Sequence, residues 1–211
     1  MGLKLGILVF ASAPPGTPLD WAARLFPEHV VEDGEADPWG LPPTFAMLGT
    51  HEGRAIVVAQ GLPWSIVSDV LMPGVLPQTP EEAWVAGCSR SGDVLVASMH
   101  SITRYCGHAV YRGGHVVLTV CRAGLKSGAH VREAEIPAWY PRDPRMELQP
   151  YRAYMEPEEL EPFPELFASR DLMDSAFVYD ENYVPNLAAA LLGAPLREVF
   201  EGVKDWVRIR T

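Results

Sequence analysis

Residues 106–121, CGHAVYRGGHVVLTVC, begin and end on cysteine and carry His108 and His115. Just upstream, His100, Ser101 and Arg104 follow the apolar run DVLVASM. Such residue types serve nucleophilic, acid–base or metal chemistry. A serine beside a histidine suggests acyl transfer. Adjacent residues of an extended chain point to opposite faces, however, so His100 and Ser101 cannot readily bond each other. No G-x-S-x-G elbow accompanies them. The run can instead build a polar pocket from His100, Ser101, Arg104 and His108. The competing reading is a capping or core histidine, and it is preferred, because lone histidines on strands are usually structural.

The cysteines pose a separate question. Gly113-Gly114 suits a type I′ turn, which needs positive φ at both central positions. A two-residue hairpin then pairs Arg112 with His115, Tyr111 with Val116, Val110 with Val117 and Cys106 with Cys121. One face, with Ala109, Tyr111, Val116 and Leu118, is apolar; the other is mixed. Cys106 and Cys121 would form a hydrogen-bonded pair with α-carbons about 5.5 Å apart, inside the disulfide window. Three outcomes are open: a disulfide, a zinc site using His108, or reduced thiols packed in the fold. The third is favoured. A CxxC or HxxxH element to fix metal geometry is missing, so no metal is expected.

Other chemistries lack their motifs. Neither G-x-x-x-x-G-K-[ST] nor G-x-G-x-x-G occurs, which disfavours P-loop and dinucleotide enzymes, and HExxH is absent. No cofactor is expected. The aromatics from Trp139 to Tyr154, mixed with arginines, suit either a recognition surface or a cover over a sheet face, and the cover is preferred.

The elements that must position these residues can be read from periodicity and punctuation. LKLGILVFA is a buried first strand ending in a Pro-Pro-Gly turn. TPLDWAARLFPEH is a short helix with Thr17 as cap, Pro18 at its first position and Asp20 near its positive end. TFAMLGTHEGRAIVVAQG is two strands around a His51-Glu52-Gly53 loop. LPWSIVSDVLMPG leans helical. TPEEAWVAGCSRSG starts with a capping box of Thr79 and Glu82 and ends at Gly92. Near the C-terminus a helix starts at Asn182 or Tyr183 and stops at Gly193, and GVKDWVRIR alternates as a closing strand. The sum is an α+β fold: a single mixed, largely antiparallel sheet with packed helices, in one domain spanning residues 1–211.

The chain has 211 residues and a formal net charge of −10. That charge repels phosphate backbones and anionic lipid, so neither nucleic acid nor a membrane is an expected partner, while a basic protein is. Three cysteines are too few for a secreted disulfide scaffold. MGLKLGILVFASAPPG is too short before its A-S-A triplet for a signal peptide. The expected location is the cytoplasm.

The segments MGLKLGILVFA, ARLFPEH, MHSITRYCGHAVYRGG and LAAALLG, in that order, resemble a family of uncharacterised bacterial, mainly actinobacterial, proteins of unknown function. This chain departs from that pattern with Thr103-Arg104 in place of an acidic residue after MHS, and with Tyr111 in place of a tryptophan near the turn. The resemblance implies no activity, cofactor or catalytic residue. The functional expectation is a non-catalytic protein-binding module of immunity or antitoxin type. The alternative is a hydrolase or transferase with its pocket near His100, Arg104 and His108.

Overall fold

The computed structural model describes residues 4–27, 30–33, 45–60, 80–100, 105–123, 126–131, 133–140 and 183–210. In chain order the elements are β1 (Lys4–Phe10), α1 (Pro18–Leu25), β2 (Val30–Asp33), β3 (Phe45–His51), β4 (Arg54–Gln60), α2 (Pro80–Cys88), β5 (Val94–His100), β6 (Tyr105–Arg112), β7 (His115–Ala123) and β8 (Lys126–Val131). A 3-10 turn at Glu133–Glu135, α3 (Tyr183–Leu192), α4 (Leu196–Gly202) and β9 (Val207–Arg210) complete the description. The nine strands form one sheet in the order β2-β9-β3-β4-β1-β5-β6-β7-β8. Every described pairing is antiparallel. The fold is α+β, as expected.

The first strand lies in the middle, between β4 and β5. From Gly6 to Phe10 its residues alternate between two buried faces, which explains why that stretch carries no polar side chain. Ile7 and Val9 join a core with Leu95, Val110, Leu118 and the helices α3 and α4. Leu8 and Phe10 join a second core with Val57, Val96, Tyr111 and the helices α1 and α2. Helices therefore cover both faces of the sheet. The hairpin of β6 and β7 is buried on both faces too, with His108 and Val110 on one and Ala109 and Tyr111 on the other. The mixed face expected from the sequence is instead a second core face.

Helix α1 starts as its sequence dictates. Thr17 Oγ1 accepts from the Asp20 backbone N–H, and Asp20 Oδ2 accepts from the Thr17 N–H at 2.7 Å. Trp21, Ala22 and Leu25 form its buried stripe. Helix α3 ends at Gly193, whose φ of 71° a side chain would disfavour. Arg54 donates to the Leu192 carbonyl at the same end. Helix α2 stops at Cys88, short of the expected Gly92. Gly92 instead permits close approach to Ser12, whose Cβ would lie 3.0 Å from an added Cβ.

Three expectations are corrected. The closing strand begins only at Val207, because the Val203 N–H still bonds the Val199 carbonyl of α4. It lies between β2 and β3. Strands β2 (VVED) and β8 (KSGAHV) were not expected at all. Cys106 and Cys121 are not a pair. Arg112 meets His115 and Tyr111 meets Val116, but Val110 meets Leu118, so Val117 is an extra residue in β7. Beyond this bulge Cys106 lies opposite Arg122, and Cys121 opposite Gly107. The bulge lets the consecutive residues Val117 and Leu118 enter the same core. The turn itself is as expected, with φ of 62° at Gly113 and 93° at Gly114. It is fastened to the end of α2: Gly113 N–H donates to the Ser89 carbonyl and Gly114 N–H to Ser89 Oγ.

The segment 62–74, Thr79 and the aromatic stretch beyond Tyr140 lie outside the described residues. Among the described residues no helix is long and apolar enough to cross a membrane.

Candidate functional site

Of the four residues expected to form a pocket, His108 is the one whose side chain is described. It stands in the middle of β6, paired with Ala97 of β5 and Val120 of β7. It has no exposed surface. Its ring stacks on Tyr140, with centroids 5.7 Å apart and planes inclined by 25°. His108 Nε2 lies 2.9 Å from the Tyr140 hydroxyl. Burial drives the His108 pKa down to about 3, because a charged imidazolium would lose its hydration. Burial likewise raises the Tyr140 phenol. The pair is a hydrogen bond between two neutral groups, and such a bond satisfies polar atoms that the core could not otherwise hold.

Tyr140 is held over His108 by the segment that carries it. Asp93, at the start of β5, accepts from Arg112 Nε at 2.7 Å, from Arg112 Nη2 at 3.0 Å and from Trp139 Nε1 at 2.7 Å. His115 Nε2 lies 2.6 Å from Glu135 Oε2, and Arg112 Nη1 donates to the Glu135 carbonyl. The 133–140 segment is thus strapped to the hairpin by its sequence neighbours in the sheet. Its aromatics cover the sheet face, as preferred from the sequence for Trp139; Tyr140 is 2% exposed.

His100 ends β5, paired with Lys4 and Tyr105. It stands three pairs along the ladder from the Ala97–His108 pair, at a position of opposite parity. Ser101 and Arg104 lie outside the described residues. Among the described residues, His108 meets Tyr140, whose type and position in the sequence gave no sign of that contact.

A second buried polar pair stands on the opposite face. The Tyr111 hydroxyl donates to Glu82 Oε1 at 3.3 Å, joining β6 to the first turn of α2. Burial, and then the neighbouring Glu82 carboxylate, raise the Tyr111 phenol. The capping-box position of Glu82 marked it for local work only; its long-range contact had no signal in the sequence. Among the described residues no three His, Cys, Asp or Glu side chains are grouped so as to hold a metal ion.

What this arrangement does chemically is restrict. A general base must come within hydrogen-bond reach of a substrate proton, and His108 is enclosed beneath Tyr140. Comparison of the chain with protein-family models, curated proteins and solved structures finds no match.

Proposed function

We propose that this chain is a cytoplasmic, non-catalytic protein-binding module whose partner is a basic protein, in the manner of an immunity protein or antitoxin. It would stand with the uncharacterised bacterial proteins whose segment order it resembles. The observation that carries the reading is the enclosure of His108. The alternative of a hydrolase or transferase near His100, Arg104 and His108 asks that imidazole to meet a substrate. With no exposure, a neutral ring and Tyr140 stacked on it, His108 is built as a core residue.

The net charge of −10 supports a basic partner. Opposite charge accelerates encounter and gives an association rate that falls steeply with salt. The test is affinity capture from cells of the source, identification of the captured protein, and reconstitution of the pair from purified components. The expected result is a basic partner whose association rate falls at least tenfold between low and high salt. A partner bound equally fast at both salt concentrations, or none at all, would remove the reading. A second test is the His100→Ala substitution, which should leave the biological activity intact.

A further inference from the structure

The sheet is open, with β2 and β8 as its outer strands. Among the described residues each of them has a neighbouring strand on one side only. Such an edge presents backbone N–H and C=O groups to which a further strand can pair.

The two edges differ in charge. The stretch 25–51, which supplies β2 and β3, carries Glu28, Glu32, Asp33, Glu35 and Asp37 and no lysine or arginine. The stretch 94–132, which supplies β5 to β8, carries Arg104, Arg112, Arg122, Lys126 and Arg132 and no acidic residue. Part of this charge is answered inside the fold: Arg112 meets Asp93, and Glu32 stands opposite Arg208 of β9. Asp33 stands opposite the apolar Val207 instead.

The ladder sets which positions of two copies would meet. Every described pairing is antiparallel, so β2 and β8, first and ninth in the sheet, run in the same direction. One row crosses the whole sheet from Asp33 through Leu48, Leu8 and Ala109 to His130. A copy shifted along the rows by one sheet width brings its Asp33 beside His130 of the first, at positions on the same face. All four residues of β2 then lie against residues 127–130 of β8 in a parallel ladder. The alternatives oppose like charge. Two β2 edges would set Glu32 and Asp33 against the same two acids, and two β8 edges would set two basic stretches together. Like charges facing each other across a ladder destabilise it.

We propose that this chain associates with further copies of itself edge to edge, β8 of one molecule pairing with β2 of the next. The contact is head-to-tail, so growth does not close at a dimer. Strand β2 has four residues, so the ladder is short and the contact weak. The inference does not rest on the proposed basic partner, because it needs only the chain itself.

Sedimentation velocity of the full chain from about 20 μM to about 1 mM tests it, the range in which a weak contact shows. The weight-average mass should rise with concentration and pass that of a dimer. The net charge of −10 repels copies at a distance, and salt screens this repulsion and the edge attraction alike. The sharper comparison is therefore a charge exchange at fixed salt. Asp33→Lys and His130→Glu should each weaken association about three- to tenfold. An equimolar mixture of the two should restore it, because each variant carries the sign that the other's altered edge needs. A monomer at every concentration, growth that stops at a dimer, or a mixture that associates no better than either variant alone would overturn the proposal. If either variant fails to fold, the concentration series of the unsubstituted chain decides between chain, dimer and monomer.

Discussion

The His108 imidazole lies under the Tyr140 ring, its Nε2 2.9 Å from the phenol oxygen, and neither residue reaches solvent to any useful extent. This contact joins residues 32 positions apart in the chain. It sets β6 against the strap that follows β8, and it gives one imidazole a share in the acid stability of the protein.

The folded pKa of His108, about 3, is below the value of 6.5 that the unfolded chain would show. The unfolded state therefore takes up a proton first as the pH drops. The stability associated with a neutral His108 is present in full above pH 6.5 and is lost as pH falls toward 3. At pH 5 this linkage costs about 2 kcal/mol relative to pH 7.5. Urea denaturation of the protein and of His108→Phe at both pH values measures it. The substitution should reduce the pH-dependent loss by that amount; an unchanged loss would place the proton elsewhere.

Asp93 is the knot of the strap. Its carboxylate takes both Arg112 and Trp139, and its side chain is only 12% exposed. Asp93→Ala leaves the Trp139 indole N–H without its acceptor and should cost about 1–3 kcal/mol. Tryptophan emission should shift to the red as the strap loosens. Stability loss without a change in emission would mean that the strap holds by apolar packing alone.

Gly49 marks a different kind of constraint. A Cβ there would lie 2.4 Å from Val203 Cγ1 and 2.9 Å from Trp206 Cε3. Both neighbours belong to the link from α4 to β9, which Asp205 also ties to Thr50 through the Thr50 backbone N–H at 2.7 Å. Gly49→Ala should destabilise by about 1–3 kcal/mol through overpacking. Chemical denaturation would show it. A neutral result would mean that this link shifts freely away from β3.

The double-glycine turn gives a prediction about register. Gly113 has a φ of 62°, which a β-branched residue adopts only with strain. Gly113→Val should cost about 1–2 kcal/mol. Because the bulge has taken Cys106 and Cys121 out of the paired position, a glutathione redox buffer should form no bridge between them. Peptide mapping of the oxidised protein would detect one.

Local signals in the sequence were strong where the chain neighbours itself. The Thr17-Pro18-Asp20 start of α1, the Gly193 end of α3 and the Gly113-Gly114 turn all depend on residues within a few positions, and all were legible. The bulge was not. Val116-Val117-Leu118 is an unbroken apolar run, so nothing in it says which residue is extra; that is decided by both Val117 and Leu118 finding room in one core. The insertion of β9 between β2 and β3 was equally hidden, because VRIR pairs with strands that begin about 160 and 180 residues earlier. At the candidate site, His108 was visible as a residue type, but Tyr140 was not visible as its partner.

The most direct test of the account is a proton NMR titration of the His108 ring, assigned by comparison with His108→Phe. An enclosed neutral imidazole predicts a resonance that does not move between pH 8 and about pH 4.5 while the fold is intact. A His108 that titrates near pH 6.5 would show a solvated ring open to substrate, and would contradict both the enclosure and the non-catalytic reading built on it.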